Sequence, residues 1–187
     1  MSNTIRFEKG LYRISGKTFT QALSELDPDE AYVGTAYEGL DAFERQLKRF
    51  DIKVKGENCD RVEKFFTSTE SAVLFPEFVR RTIKAGLDEA SILPEIVAAT
   101  TYTDGIDYRG LTVEASGTTA GVEEGGEVPV TNVRLASSAS SLTKFARRLS
   151  CSYESIRKQR LEAFGVILKN LGAEISRAIN KAACDAL

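Results

Sequence analysis

The chain has 187 residues, 42% hydrophobic and 28% charged, enough for one ordinary domain to bury about 70% of its unfolded surface without disulfides or metal. It contains no His, which excludes Ser-His and Cys-His catalysis and imidazole metal sites, and its three cysteines (Cys59, Cys151, Cys184) can form neither a disulfide framework nor a four-thiolate zinc site. The net charge of −2 argues against a dedicated nucleic-acid binder, but it hides a gradient: residues 104–143 carry −4 and residues 144–187 carry +5. The thiols read as reduced cysteines of a cytosolic protein. No stretch approaches the ~18 apolar residues of a membrane span, and the start has no signal-peptide apolar region.

In chain order, Thr18 to Leu26 reads as a helix stopped by Asp27-Pro28. Leu40, Phe43, Leu47 and Phe50 recur at helical spacing, a stripe read as local packing before a docking face, and Lys55 to Asp60 reads as a loop. The first 60 or so residues thus read as two short helices with punctuation, not as a compact unit. Pro76 is placed in the first turn of a helix through Asp88, with Phe75, Phe78, Val79, Ile83 and Leu87 on one face. Ile92 to Thr103 is strand-like, Pro94 placing it near a strand start or edge. Tyr108–Val113 and Val128–Leu135, around Gly117 to Gly126, suggest a long projecting hairpin. Lys144 to Ser150 reads as a strand returning to the body. Ser152 and Glu154 then open a helix through Ile156, Leu161, Phe164, Leu168, Leu171, Ile175, Ile179 and Ala182. At 1.5 Å per residue that helix would be about 50 Å long and would need a sheet or other helices beside it. A coiled coil is the alternative, weakened by Gly165 and Gly172.

The residues that could carry chemistry do not assemble a catalytic, cofactor-binding or metal-binding set. Gly10 to Gly16-Lys17-Thr18 has five residues between its glycines where a phosphate-binding loop needs four. The pairs Asp29-Glu30, Asp88-Glu89 and Glu123-Glu124 read as solvated charge. Cys151 has no His to activate it and reads as a structural thiol. Arg147-Arg148 and Arg157-Lys158-Gln159-Arg160 lack interleaved aromatics, so they read as a solvated or subunit-facing basic patch.

The order of these parts resembles the major capsid proteins of tailed bacteriophages of the Hong Kong 97 type. Leu74 to Leu87 resembles the helix that comes after the family's N-terminal region. Glu124-Gly-Gly-Glu-Val-Pro-Val-Thr-Asn132 resembles the returning limb of its extended loop (E-loop). Lys144 to Ile156, together with the helix after it, looks like the strand and spine helix of its peripheral domain, and Leu40 to Ile52 like the N-terminal part of one phage subgroup. The resemblance implies an α+β fold with an N-terminal arm (1–68), a helix and strand of the peripheral domain (69–103), an E-loop hairpin (104–143) and a return strand with spine helix (144–187). Members normally continue into an axial domain; this chain stops at Leu187, so a truncated form is implied.

The resemblance further implies a structural protein, not an enzyme, that needs no cofactor and self-associates into a DNA-enclosing shell. Its partners would be copies of itself and, non-specifically, packaged DNA, with no membrane. It would reside in the virion, after assembly in the bacterial cytoplasm. The alternatives are a shell protein of an encapsulin-like compartment and a nucleic-acid-binding module using the basic C-terminal helix. In the capsid reading an E-loop reaches over the neighbouring subunit. The charge gradient then places Glu123, Glu124 and Glu127 of one copy near Arg147, Arg148, Arg157, Lys158 and Arg160 of another.

Overall fold

A computed structural model describes residues 9–105, 107–115, 121–126 and 128–186. In chain order the elements are α1 (Phe19–Leu26), α2 (Ala42–Arg49), α3 (Thr69–Glu89), α4 (Leu93–Ile96), β1 (Asp107–Tyr108), β2 (Leu111–Ala115), β3 (Thr131–Leu135), β4 (Ser140–Ser141), α5 (Tyr153–Ile156) and α6 (Leu161–Asp185). The class is mixed α and β, as expected. Two compact units emerge: one drawn from residues up to Glu95 and from Ala146 onward, the other from Ile96–Phe145.

The helix starts of the first unit are set by polar caps. Thr18, Asp41 and Ser68 each accept a hydrogen bond from the backbone N–H three residues on, and Gln21, Glu44 and Ser71 reciprocate. Such paired caps satisfy N–H groups that a helix start leaves unbonded, at about 1 kcal/mol each. Behind the caps, Phe19, Leu23, Phe43, Leu47 and Ile52 share one buried cluster with Val62, Phe65, Val73, Leu74, Phe78, Leu161, Phe164 and Leu168. The apolar stripes of α1 and α2 thus fill the core that α3 and α6 alone would leave open.

Four local expectations are corrected. Pro76 lies inside α3, because the Ser68 cap and the burial of Val73 and Leu74 extend the helix upstream of it. Residues 97–103 form no strand; α4 takes up Pro94 in its first turn, where a missing N–H costs nothing, and no partner strand satisfies the exposed backbone beyond it. Residues 144–150 are likewise coil, and the expected single helix from Ser152 is divided. The break at 157–160 has a cause in an earlier segment of the same chain. There the backbone runs antiparallel to residues 60–63, with Val62 N–H on the Gln159 carbonyl, Glu63 N–H on the Arg157 carbonyl and Leu161 N–H on the Asp60 carbonyl. Only α6, 25 residues long, continues.

Helices α3 and α6 run side by side in the same direction, Phe75 stacking on Phe164 near one end and Asn180 Nδ2 donating to the Ala90 carbonyl near the other. At Gly86 and Gly172 the two backbones lie too close to admit a side chain. A Cβ added at Gly172 would overlap the Ile83 carbonyl oxygen and come within 2.8 Å of Leu87 N; one at Gly86 would overlap the Lys169 carbonyl oxygen. Gly172 thus marks a helix crossing within the chain, and α6 takes α3 as its partner along this length.

In the second unit β2 and β3 form an antiparallel pair in the register Leu111↔Leu135, Thr112↔Arg134, Val113↔Val133, Glu114↔Asn132 and Ala115↔Thr131. Strands β1 and β4 pair antiparallel in a second short ladder. The expected hairpin is therefore present.

Candidate functional site

Side chains alternate across a strand, and cross-strand partners share a face. The observed register places Leu111, Val113, Val133 and Leu135 together on one face of the β2–β3 ladder and Thr112, Glu114, Asn132 and Arg134 on the other. On the polar face Arg134 pairs with Glu114 at 3.6 Å. The apolar face is open: Leu111 is 68% exposed, Val113 66%, Val133 59% and Leu135 63%. A two-stranded ladder in water is at best marginally stable, and adjacent exposed apolar side chains mark an interaction surface.

At the tip, Glu123 and Glu124 are exposed, the turn closed by the Gly126 N–H on the Glu123 carbonyl at 2.8 Å. Glu127 lies outside the described residues. The five expected basic residues differ in how far they are committed. The Arg160 guanidinium donates to the Gly56 and Glu57 carbonyls at 3.0 and 2.8 Å, fastening the start of α6 to the 55–60 loop. Arg147 pairs with Glu174 at 3.1 Å, both exposed. Arg148, Arg157 and Lys158 are exposed and enter no ion pair among the described residues. All five are therefore at the surface, with Arg160 fastened to its own chain.

Two buried polar nodes escaped the sequence reading. Glu77, wholly buried on α3, accepts hydrogen bonds from Thr20 Oγ1 (2.7 Å), Arg80 Nε and Nη2 (both 2.9 Å) and Arg81 Nε (2.9 Å). Arg81 also reaches the Asp41 carboxylate at the start of α2. Desolvation pushes the Glu77 carboxyl up, but the hydrogen bonds from Arg80, Thr20 and Arg81 outweigh it, and the group lies below the usual carboxylate range. Tyr12, beside this node, donates to the Val73 carbonyl at 2.8 Å, and burial together with the Glu77 charge raises its phenol to about 12. The second node centres on Asp27, which accepts from Tyr32 Oη (2.6 Å), Gln46 Nε2 (2.8 Å) and Arg45 Nε (3.2 Å). Asp29, read from sequence as solvated, pairs with the same Arg45 at 2.9 Å. A signal for the first node was present: Glu77 stands three and four positions before Arg80 and Arg81, neighbours on a helix surface. Its burial was not readable, since it depends on α1 and α2 packing over that turn.

Both nodes are saturated by their own partners, and every buried side-chain polar atom among the described residues has one. The first holds α1 and α2 on α3 and the second ties the end of α1 to α2; neither offers a free acid, base or nucleophile. Lys17 pairs with Glu25 and Thr18 caps α1, so the phosphate-loop-like stretch is committed to local structure. Cys151 and Cys184 are exposed and Cys59 is half-buried, its Sγ accepting from the Glu162 N–H at 3.3 Å. Among the described residues no cluster of carboxylates and thiols could hold a metal ion, and no helix is long and apolar enough to cross a membrane. Comparison with protein-family models, with curated proteins and with solved structures finds no match to this chain.

Proposed function

We propose that this chain is a structural, non-catalytic subunit of a Hong Kong 97-type capsid shell that works by associating with copies of itself around DNA. The observation that carries the reading is the β2–β3 ladder, which leaves Leu111, Val113, Val133 and Leu135 open to water on one face. An apolar face of this kind on a two-stranded element is stabilised when another surface covers it. Support also comes from the order of parts, α3, then the hairpin, then α6, which is the order that suggested the capsid family. In this reading the acidic tip of one copy, Glu123 and Glu124 with Glu127, lies near Arg147, Arg148, Arg157 and Lys158 of another. Arg160 is the weakest member of that set, being engaged within its own chain.

Exposed ion pairs contribute about 0–1 kcal/mol each, so the charges steer association and set register while apolar burial supplies affinity. Replacing Glu123, Glu124 and Glu127 by Lys should impair oligomer formation measured by light scattering, and reversing Arg147, Arg148, Arg157 and Lys158 should partly restore it. Association should also weaken as salt rises above ~0.15 M, where the Debye length falls below about 8 Å. Association and salt dependence unchanged by the triple reversal would remove the charge pairing from the proposal.

A further inference from the structure

Residues 142–152 adopt neither helix nor strand, and every one of them is exposed. Their sequence nevertheless carries a helical period. Leu142, Phe145, Ala146, Leu149, Tyr153 and Ile156 fall at spacings of three and four, while Lys144, Arg147, Arg148 and Lys158 fall on the opposite side. The last two apolar members are already helical, in α5, where Tyr153 packs edge-on against Phe66 at 5.1 Å and Ile156 lies against the core. Upstream of them Leu142, Phe145 and Leu149 remain open to water.

The segment does not wind up alone for identifiable reasons. Ser152 stops α5 by accepting the Ser155 N–H, and extending the helix gives up that cap. Thr143, Ser150, Cys151 and Ser152 are poor helix formers, and a short helix in water is marginal without an apolar face to cover. A partner must be apolar and acidic to supply what is missing. The hairpin unit has both properties: an open face of Leu111, Val113, Val133 and Leu135, and a −4 charge over residues 104–143, against +4 over residues 142–158.

We infer that residues 142–156 fold into one amphipathic helix ending in α5 when residues 142–152 dock on the apolar face of the β2–β3 ladder of a second copy. The inference rests on the self-association reading and gives it a specific contact. The open residues 142–152 would make a helix ~17 Å long, the length of a five-residue strand, so they cover the ladder end to end while Tyr153 and Ile156 stay on their own core. Helix on sheet is a stable two-layer arrangement, and it buries two apolar surfaces that are separately exposed in the chain.

The test is hydrogen exchange by mass spectrometry on the full chain, at dilutions where it is monomeric and at concentrations where it associates. Amides of 144–152 should exchange freely in the monomer and become protected on association. Leu149→Asp should weaken association about tenfold, the order expected for losing one buried leucine, while leaving core amides of the monomer protected. If oligomers form while 144–152 exchanges as in the monomer, the helix is wrong and the self-association reading stands. No association at any concentration overturns both. Protection already present in the monomer means that the segment docks on its own hairpin, and overturns the inference. So does protection that appears only with phosphatidylglycerol vesicles, which makes a lipid surface the partner.

Discussion

Replacing Gly172 or Gly86 by Ala should each destabilise the first unit by about 2–3 kcal/mol, the upper part of the roughly 1–3 kcal/mol usual for forcing atoms into a packed core. The added Cβ meets backbone in both cases, the Ile83 and Lys169 carbonyl oxygens, so no side chain can rotate away and the two helices must separate. The gain in helix propensity from Gly to Ala, about 1 kcal/mol, offsets only part of this. Gly165 supplies the contrast. A Cβ there meets only Thr82 Cγ2, at 3.8 Å, an ordinary contact. Gly165→Ala should therefore be neutral or stabilising by up to about 1 kcal/mol. Thermal unfolding of the three variants measures both, with the Gly172 and Gly86 midpoints lowered by on the order of 10 °C. Equal midpoints for all three would show that the crossing is not where the structure puts it.

The second large effect is expected at Glu77. Removing one member of a buried ion pair costs about 3–5 kcal/mol, because the partners are left without compensation. Arg80 is 52% exposed and can rehydrate, so Glu77→Ala should fall at the lower end, about 3 kcal/mol. Glu77→Gln should cost less, since an amide oxygen still accepts from Thr20 and one arginine. The pH dependence stems from the lowered carboxyl pKa. The native state holds the ionised form more tightly than the unfolded chain, so this contribution is complete above about pH 4.5 and is lost as pH falls through the lower native value. Denaturant titrations of the parent chain should show stability declining below that pH, and the Gln variant should show a shallower decline. Parallel curves for the two proteins would show that Glu77 is not the titrating group.

How much of the fold was legible in the sequence depended on whether a feature was local. The Thr18 and Asp27-Pro28 limits of α1 and the Phe43–Leu47 stripe of α2 depend on nearest neighbours along the chain, and they appear as read. The hairpin was legible for the same reason, two β-prone stretches around a Gly-rich tip. Features that depended on distant chain were missed. Gly172 was read as a flaw in a heptad, whereas its position opposite Ile83 and Leu87 makes it a contact point. The split between α5 and α6 arises from backbone pairing with residues 60–63, a segment about a hundred positions away that no local pattern reveals. The acidic tip and the basic residues 147–158 were legible as charge. The commitment of Arg160 to the 55–60 loop was not, because an arginine's partners are set by tertiary structure.

The central claim is that the chain is built to associate with itself through the open face of the β2–β3 ladder. Sedimentation velocity across a concentration series, on the parent chain and on a Val113→Lys, Val133→Glu variant whose opposite charges keep the cross-strand pair, tests it most directly. Both positions are exposed in the single chain, so the variant should fold as the parent does. The account predicts that the parent passes from monomer to large, concentration-dependent assemblies and that the variant stays monomeric. A parent that sediments as a single monomeric species at every concentration, or a variant that assembles as readily as the parent, would contradict it.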